Sequence, residues 1–252
     1  MITSPANPTL KLIRALQSKR RARENEGAFV IEGPRLLEEA ARAGVTPRTI
    51  LHTPNLDERS LAIIRSLPSA PTQTVTPALL ASVSETESPT GLLAIVPFPS
   101  PTALPPSSFS LVLDGIADPG NLGTLLRTAE AAGVAAAYLM PGTVDAYNPK
   151  VVRAAMGAHF RLPLLETTWE ALPVEAASVW VADLAGETYT QVNWRAAQAI
   201  IIGSEADGPS EAALTFTPNR VTIPMPGRAE SLNAAVAAGI LLFEAARQRS
   251  AS

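Results

Sequence analysis

The chain has 252 residues, of which 46 % are hydrophobic and 17 % charged, enough apolar material for a large globular core. It contains no cysteine, which excludes disulfide bonds and thiolate metal sites, and the two histidines are not spaced like metal ligands, so we expect no metal. The longest uncharged apolar run, residues 232–243, is too short to span a bilayer and the N-terminus lacks a secretory signal, so we expect a cytoplasmic protein without membrane contact.

Positive charge is concentrated near the start of the chain, although the net charge is −3. Residues 1–98 carry 11 Lys and Arg against 9 Asp and Glu, whereas residues 99–252 carry 9 against 14. Six of the basic residues lie between positions 11 and 23. Such a segment is either a solvated helix face or a site for phosphate groups, which need only local positive charge.

The N-terminal part alternates helical and extended patterns. Residues 8–25 are predicted to be helical, AFVIEG (28–33) a strand, and PRLLEEAARAG (34–44) a helix with proline at its start and glycine at its end. Further short strands are predicted at RTILHT, TQTVT and GLLAIVPF. We therefore expect a small α/β domain over residues 1–98, followed by a proline-rich linker at 99–109.

Residues 110–252 repeat strand and helix. The predicted strands are SLVLD, AAAYLM, RLPLLE, SVWVADL, AQAIIIGSE and RVTIPM, and the main helices are LGTLLRTAEAAG, KVVRAAMGAHF and AESLNAAVAAGILLFEAARQR. This alternation predicts a mostly parallel sheet covered by helices on both faces. The last helix has no charge from Leu232 to Phe243, so we expect it to be buried nearly all round.

Four loops that leave these strands have unusual compositions: DGIADPGNLGTLLRT, LMPGT, GSEADGPS and IPMPGRAESLN. Ligands of parallel α/β sheets bind beyond the carboxyl ends of the strands, where such loops meet. The glycines of the first loop match neither a dinucleotide-binding fingerprint nor a phosphate-binding loop, which disfavours a nicotinamide-dependent dehydrogenase. No G-x-S-x-G motif is present, which argues against a serine hydrolase.

Five polar residues in these loops are candidates for a shared site: Asn121, Arg127, Glu205, Ser231 and Asn233. Each also has a structural interpretation. The two asparagines and the serine suit helix caps, the arginine a surface ion pair, and the glutamate an acceptor for backbone N–H groups. Because all five lie at strand exits or helix starts of one domain, a common site is the sharper hypothesis.

Three segments, DPGNLGTLLRTAEAAG, IIIGSEADG and IPMPGRAESLNAAVAAGILLFEA, resemble the signature motifs of the SpoU (TrmH-type) RNA ribose methyltransferases of the SPOUT superfamily. The opening ITSPANPTLKLIRAL…RRARENEGAFVIEGPRLLEEA is similar to the substrate-binding domain that many of them carry, and SPTGLLAIV resembles its end. The resemblance implies a trefoil-knotted α/β methyltransferase domain over residues 110–252. It also implies an N-terminal domain like a ribosomal RNA-binding protein, and a homodimer whose active site uses both subunits.

The resemblance further implies S-adenosylmethionine as cofactor and a ribose 2′-hydroxyl of RNA as methyl acceptor. The five polar residues named above match the family's catalytic motif positions. The positions that match cofactor-pocket segments are Leu139, Met140, Pro141, Gly142, Gly203, Ser204, Ile223, Met225, Ser231 and Leu232. Arg127 is expected to stay charged, grip the neighbouring phosphate and stabilise the developing alkoxide.

RNA is the expected partner, and ribosomal RNA is favoured over transfer RNA by family analogy. The residues expected to contact phosphates are Arg20, Arg21 and Arg35 in the N-terminal domain and Arg153 at the edge of the methyltransferase domain. The alternatives are a transfer-RNA 2′-O-methyltransferase and a non-catalytic RNA-binding or ribosome assembly factor on the same fold.

Overall fold

The computed structural model describes residues 1–100 and 108–250, so most of the linker predicted at 99–109 lies outside the described residues. By its contacts the chain divides into two compact units. The first comprises Met1–Ser100 and Tyr147–Phe160, and the second comprises Pro101–Ala146 and Arg161–Ser252. The sequence placed residues 147–160 in the methyltransferase domain, whereas their contacts belong to the first unit.

Helices and short strands alternate through both units. The helices are α1 (Pro8–Ser18), α2 (Arg20–Glu26), α3 (Pro34–Arg42), α4 (Glu58–Arg65), α5 (Pro77–Ala81), α6 (Pro119–Ala131), α7 (Pro149–Ala155), α8 (Glu211–Phe216) and α9 (Ala234–Ser250). The strands are β1 (Ala28–Glu32), β2 (Thr49–His52), β3 (Thr72–Thr74), β4 (Leu92–Pro97), β5 (Ser110–Leu113), β6 (Ala136–Leu139), β7 (Leu164–Glu166), β8 (Val179–Thr188), β9 (Ala199–Ile202) and β10 (Arg220–Thr222). None of the helices in the described ranges is long and apolar enough to cross a membrane.

Two helices predicted as continuous are interrupted. The helix predicted over residues 8–25 breaks at Lys19, which is extended (φ −127°, ψ 117°) and separates α1 from α2. The helix predicted over residues 150–160 ends at Ala155, because Met156 adopts a left-handed conformation (φ 51°). Apolar spacing continues through Met156, and the polar residues around Lys19 are compatible with an exposed helix face, so the sequence pattern alone could not locate these breaks.

The first unit is built on a four-stranded sheet in the order β1-β4-β2-β3. Strand β4 is antiparallel to both of its neighbours, whereas β2 and β3 are parallel. One face packs against α1, with Leu10, Ile13 and Leu16 fully buried. The other face packs against α3 and the 147–160 segment, whose Val152 and Phe160 join the same apolar cluster as Phe29. The segment therefore completes the core of this unit.

The second unit contains a six-stranded sheet in the order β10-β8-β9-β5-β6-β7, and every neighbouring pair is parallel. This confirms the predicted mixed α/β class and the parallel sheet. Strands β5, β6 and β9 are buried along their whole length, as the continuous apolar sequences indicated. The carboxyl ends of the central strands β9, β5 and β6 consequently meet at one edge of the sheet.

Helix α9 is less buried than its sequence predicted. Ala235, Ala238 and Leu242 are buried, but Val236 is 53 % exposed and Phe243 is 52 % exposed. The two exposed residues are seven positions apart and so lie on one face of the helix. The expectation of burial all round is therefore wrong for the single chain, which leaves an apolar strip on this helix.

Candidate active site

The loop after β5 is organised by Asp118, which is the N-cap of α6. Its side chain accepts a hydrogen bond of 2.7 Å from the backbone N–H of Asn121, and Pro119 occupies the first turn. The cap interpretation of Asn121 is therefore wrong. Because Asp118 supplies the cap, the Asn121 side chain is available for other contacts.

Three of the five candidate residues form one hydrogen-bonded chain. The Asn121 Nδ2 donates to Glu205 Oε1 at 2.8 Å, and Asn233 Nδ2 donates to Asn121 Oδ1 at 3.0 Å. These residues come from the start of α6, the loop after β9 and the start of α9. The asparagine amide thus joins all three segments at the carboxyl edge of the sheet.

Of the two residues in the third motif that suit a helix cap, Asn233 and not Ser231 caps α9. Asn233 is the cap, because its Oδ1 accepts from the backbone N–H groups of Ala235 (2.9 Å) and Val236 (3.3 Å). Ser231 is exposed and lies before the helix, so it does not cap it. Asn233 accordingly has two functions, since its oxygen caps α9 while its nitrogen binds Asn121.

Arg127 stands apart from this chain of hydrogen bonds. It lies two turns into α6, is exposed, and forms no hydrogen bond or ion pair with any residue in 1–100 or 108–250. The surface ion pair is therefore not formed. The neighbouring Thr128 faces α9, where its Cγ2 lies 3.7 Å from the Cβ position of Gly239. The Arg127 guanidinium is free to contact a ligand.

An open cavity of about 400 Å³ lies beside Glu205. Six of the ten predicted cofactor residues line it: Gly203, Ser204, Ile223, Met225, Ser231 and Leu232. Four carboxylates also line it, namely Asp183, Glu205, Asp207 and Glu230, and none of the described lining residues is Lys or Arg. The cavity therefore suits a ligand that is largely apolar and carries positive charge.

The other predicted cofactor residues, Leu139, Met140, Pro141 and Gly142, do not line this cavity. They follow β6 in the next loop along the sheet edge. The Cβ position of Gly142 lies 3.6 Å from Gly115 Cα, and that of Gly115 lies 4.0 Å from Ser204 Cβ. The end of the 139–142 segment therefore lies against Gly115, which in turn is next to the cavity wall at Ser204.

The cavity wall formed by residues 203–208 is a tight loop. Ser204 and Gly208 exchange backbone hydrogen bonds of 2.9 and 3.1 Å, and Ser204 Oγ accepts from the Asp207 N–H at 3.0 Å. A Cβ atom on Gly203 would lie only 2.3 Å from Gly208 C and Pro209 N. Only glycine fits at position 203, because the returning backbone occupies the space of a side chain.

Two side chains that the sequence analysis did not select tie the loops together. Asp114, which is 5 % exposed, accepts hydrogen bonds from Ser210. The hydroxyl of Thr143 donates to Leu113 O at 2.9 Å and accepts from the Gly115 N–H at 3.2 Å. A polar residue directly after a buried apolar strand was the available signal for Asp114.

The basic side chains of the first unit differ in their exposure to solvent and in their contacts within the chain. Arg23 is 4 % exposed, and its guanidinium donates to the carbonyl groups of Leu16 and Gln17, so it holds α1 against α2. Arg20 pairs with Glu24 at 2.7 Å within α2. The burial of Arg23 shows that part of the basic segment is structural.

The other predicted phosphate contacts are more accessible. Arg21 and Arg35 are exposed, and Arg153 is half-buried on α7. None of the three forms a hydrogen bond or ion pair within the described part of the chain. Arg153 belongs by its contacts to the first unit, not to the methyltransferase domain as the sequence suggested.

Comparison with known proteins gives a consistent result. The family model described as the SpoU rRNA Methylase family matches residues 108–243, and that of the MRM3-like substrate binding domain matches residues 7–94. The chain is 34 % identical to the 23S rRNA (guanosine(2553)-2'-O)-methyltransferase RlmP of Bacillus subtilis (strain 168), over 96 % of this chain and 97 % of that protein.

Further similarity extends over nearly the whole chain. It is 29 % identical to rRNA methyltransferase 3, mitochondrial, of Mus musculus, over 97 % of this chain and 73 % of that protein. The solved structure of the SpoU methyltransferase AviRb from Streptomyces viridochromogenes in complex with AdoMet has a TM-score of 0.86 at 28 % identity. That match covers 97 % of this chain and 99 % of the AviRb chain.

Proposed function

This chain belongs to the SpoU rRNA methylase family, and from that premise we propose that it transfers a methyl group from S-adenosylmethionine to a ribose 2′-hydroxyl of large-subunit ribosomal RNA. The observation that carries the proposal is the hydrogen-bonded chain Asn233–Asn121–Glu205 beside the cavity. It brings residues from all three signature motifs to one edge of the sheet. A non-catalytic assembly factor would not need this arrangement.

The residues present fit the cofactor. The cavity volume of about 400 Å³ lies within the range of small-molecule sites, roughly 300–1,000 Å³. Its lining of carboxylates suits the positive sulfonium and ammonium groups, and its apolar residues suit the adenine ring. Gly203, Ile223 and Leu232 would hold the cofactor, which supplies a methyl group on a good leaving group.

The chemistry that this chain must add is activation of a weak nucleophile. In-line displacement requires the 2′-oxygen to be positioned and the charge that develops on it to be stabilised. A guanidinium gives up its proton too reluctantly to act as a base, so in this proposal the charged Arg127 grips the adjacent phosphate and stabilises the alkoxide. The phosphate or a water molecule receives the proton. Asn121 positions the ribose, while Glu205 orients the loop beside Ser231 and Asn233.

A homodimer is part of the proposal. The exposed apolar strip of α9, Val236 and Phe243, suits an isologous contact with a second copy. Arg127 lies on α6, which packs against α9, and it has no partner in the described residues of its own chain. We place Arg127 of one subunit at the cavity of the other. The knotted path of the C-terminal domain, implied by the family, belongs to the same proposal.

Ribosomal RNA is preferred as substrate because the similarity includes the first unit. The substrate-binding domain model and the rRNA methyltransferases of Bacillus subtilis and mouse all match this region. Exposed Arg21 and Arg35, together with Arg153, supply positive charge on this unit for the RNA backbone. A cytoplasmic location is the last part of the proposal.

The test uses labelled S-adenosylmethionine with unmodified ribosomal RNA and, separately, transfer RNA. We expect label in ribosomal RNA only, with one phosphodiester linkage becoming resistant to alkali, because 2′-O-methylation blocks cleavage there. Label on transfer RNA alone would contradict the proposed substrate. Failure to label either RNA or assembled ribosomal particles would favour the non-catalytic alternative.

A further inference from the structure

Asp114 is a buried carboxylate at the end of β5 whose two oxygens both bind one residue. Its Oδ2 accepts from the Ser210 backbone N–H at 2.7 Å, and its Oδ1 accepts from the Ser210 hydroxyl at 3.1 Å. Asp114 is 5 % exposed and does not line the cavity. A buried carboxylate is retained at a cost in desolvation, so this paired contact calls for a specific role.

Ser210 is the point where the cavity loop ends. Its hydroxyl accepts from the Ala213 N–H at 3.2 Å and thereby caps α8. One end of the 203–210 loop is held by β9, whose Ile202 carbonyl accepts from the Asp114 N–H at 2.9 Å. Asp114 therefore holds both ends of this loop, one through its backbone and the other through its side chain.

The loop held in this way carries two parts of the site. Residues 203–209 form one wall of the cavity, and Glu205 extends from the loop to the Asn121 amide. We expect a shift at Ser210 to be transmitted to both, because the Ser204–Gly208 backbone hydrogen bonds join the two ends of the loop.

We propose that Asp114 is a positioning residue for methyl transfer, which sets the cavity wall and the Glu205–Asn121 contact through its two hydrogen bonds to Ser210. The inference rests on the proposed function, since it assigns the 203–210 loop to that site. Asp114 itself touches neither the cavity nor Asn121. Removal of the Asp114 carboxylate leaves the N–H and hydroxyl of Ser210 without their acceptor. The C-terminal end of the 203–210 loop is then no longer held by Asp114.

The test compares Asp114→Ala and Asp114→Asn with Thr217→Val in the full chain. Thr217 is a matched control, because it is fully buried in the same unit and its hydroxyl donates to Val179 O at 3.0 Å, away from the cavity. Three quantities are measured: amide hydrogen exchange of residues 203–210, affinity for S-adenosylhomocysteine, and the single-turnover rate with ribosomal RNA.

With Asp114→Ala we expect faster exchange confined to the 203–210 loop and about tenfold weaker S-adenosylhomocysteine binding. The transfer rate should fall by up to about 100-fold, as for an ångström-scale misplacement. Asp114→Asn should recover much of the loss, since its amide can accept from the Ser210 N–H and donate to the Ser210 hydroxyl. In a Glu205→Ala background, Asp114→Ala should slow transfer less than it does in the wild type.

Exchange and binding no different from those of Thr217→Val would overturn the proposal. If Asp114→Ala does not fold, Ser210→Ala is measured instead, because it removes only the hydroxyl contact to Asp114 and the cap of α8. Amide hydrogen exchange in the 203–210 loop at the wild-type rate would then contradict the positioning role of Asp114. A wild-type protein that transfers no methyl group would refute the proposed function instead, while hydrogen exchange would still decide the role of Asp114.

Discussion

The Asn121 amide donates a 2.8 Å hydrogen bond to Glu205, a residue 84 positions later in the chain. Its oxygen accepts from Asn233, 112 positions away. One side chain therefore joins the first, second and third signature motifs. The contact fixes the start of α6 against the cavity loop and against the cap of α9.

Replacing Asn121 by alanine removes both hydrogen bonds at once. We expect turnover with ribosomal RNA to fall by about 10²-fold or more, because groups that position a reacting hydroxyl must be held closely. S-Adenosylhomocysteine affinity should change little, since Asn121 does not line the cavity. Thr124→Ala, one turn further along the same exposed surface, is the control. Equal turnover of the two variants would contradict a role for the asparagine chain.

Gly203→Ala tests the close approach of the cavity loop. Its Cβ would meet the Gly208 and Pro209 backbone at 2.3 Å, so the wall must move and cofactor binding should be lost. Gly227→Ala is the control, because it has nothing within 4 Å of its Cβ position. Calorimetric titration with S-adenosylhomocysteine measures the effect. Tight binding by Gly203→Ala would show that the loop tolerates the displacement.

The sequence predicted the strands of the parallel sheet more successfully than it predicted helix boundaries and exposure. Buried apolar runs such as AIII identify β9 because a central parallel strand is covered on both faces. The motif residues could be selected, but the bond between Asn121 and Glu205 depends on tertiary folding across 84 positions. An uncharged helix face looks the same whether it meets the core or a partner, so the sequence could not show which side of α9 is exposed in the single chain.

The placement of residues 147–160 could not be predicted from local patterns either. The strand–helix alternation continued through them, yet Tyr147 stacks on Phe98 at a ring-centroid distance of 4.0 Å, and Phe160 stacks on Phe29 at 5.9 Å. Nothing in the local sequence shows which sheet an apolar helix will cover. Long-range packing decided this.

This packing predicts that Phe160 stabilises the first unit. Phe160→Ala should lower the free energy of unfolding of that unit by about 3–5 kcal/mol, as for other buried aromatic side chains. Phe160→Leu, which retains most of the apolar volume, should cost less. Denaturant unfolding of the full chain checks both. A stability of Phe160→Ala equal to that of the wild type would show that residues 147–160 are not part of this core.

Acid stability should depend on Glu244 in α9. Hydrogen bonds from Arg247 and Gln248 lower the pKa of Glu244 from 4.5 to about 2. Because the folded pKa is depressed, the stabilisation is fully present above the unfolded pKa near 4.5 and is lost as the pH falls through about 2. Glu244→Gln should therefore lose less stability than the wild type between these values. Thermal unfolding at several pH values measures this.

The control for this pH dependence is Glu187→Gln, which replaces an exposed carboxylate on β8. It should follow the wild-type loss of stability between pH 4.5 and about 2. If stability falls with decreasing pH by the same amount in Glu244→Gln and in the wild type, the role given to the Arg247 and Gln248 contacts is contradicted.

Mixing two inactive variants tests the central claim most directly. Subunits carrying Arg127→Ala are combined with subunits carrying Gly203→Ala, and labelled methyl transfer to ribosomal RNA is measured after tags have confirmed mixed dimers. If Arg127 acts at the partner's cavity, each mixed dimer contains one site with an intact loop and an intact arginine, so we predict that transfer is restored. Mixed dimers that remain as inactive as either parent would contradict an active site shared between two subunits.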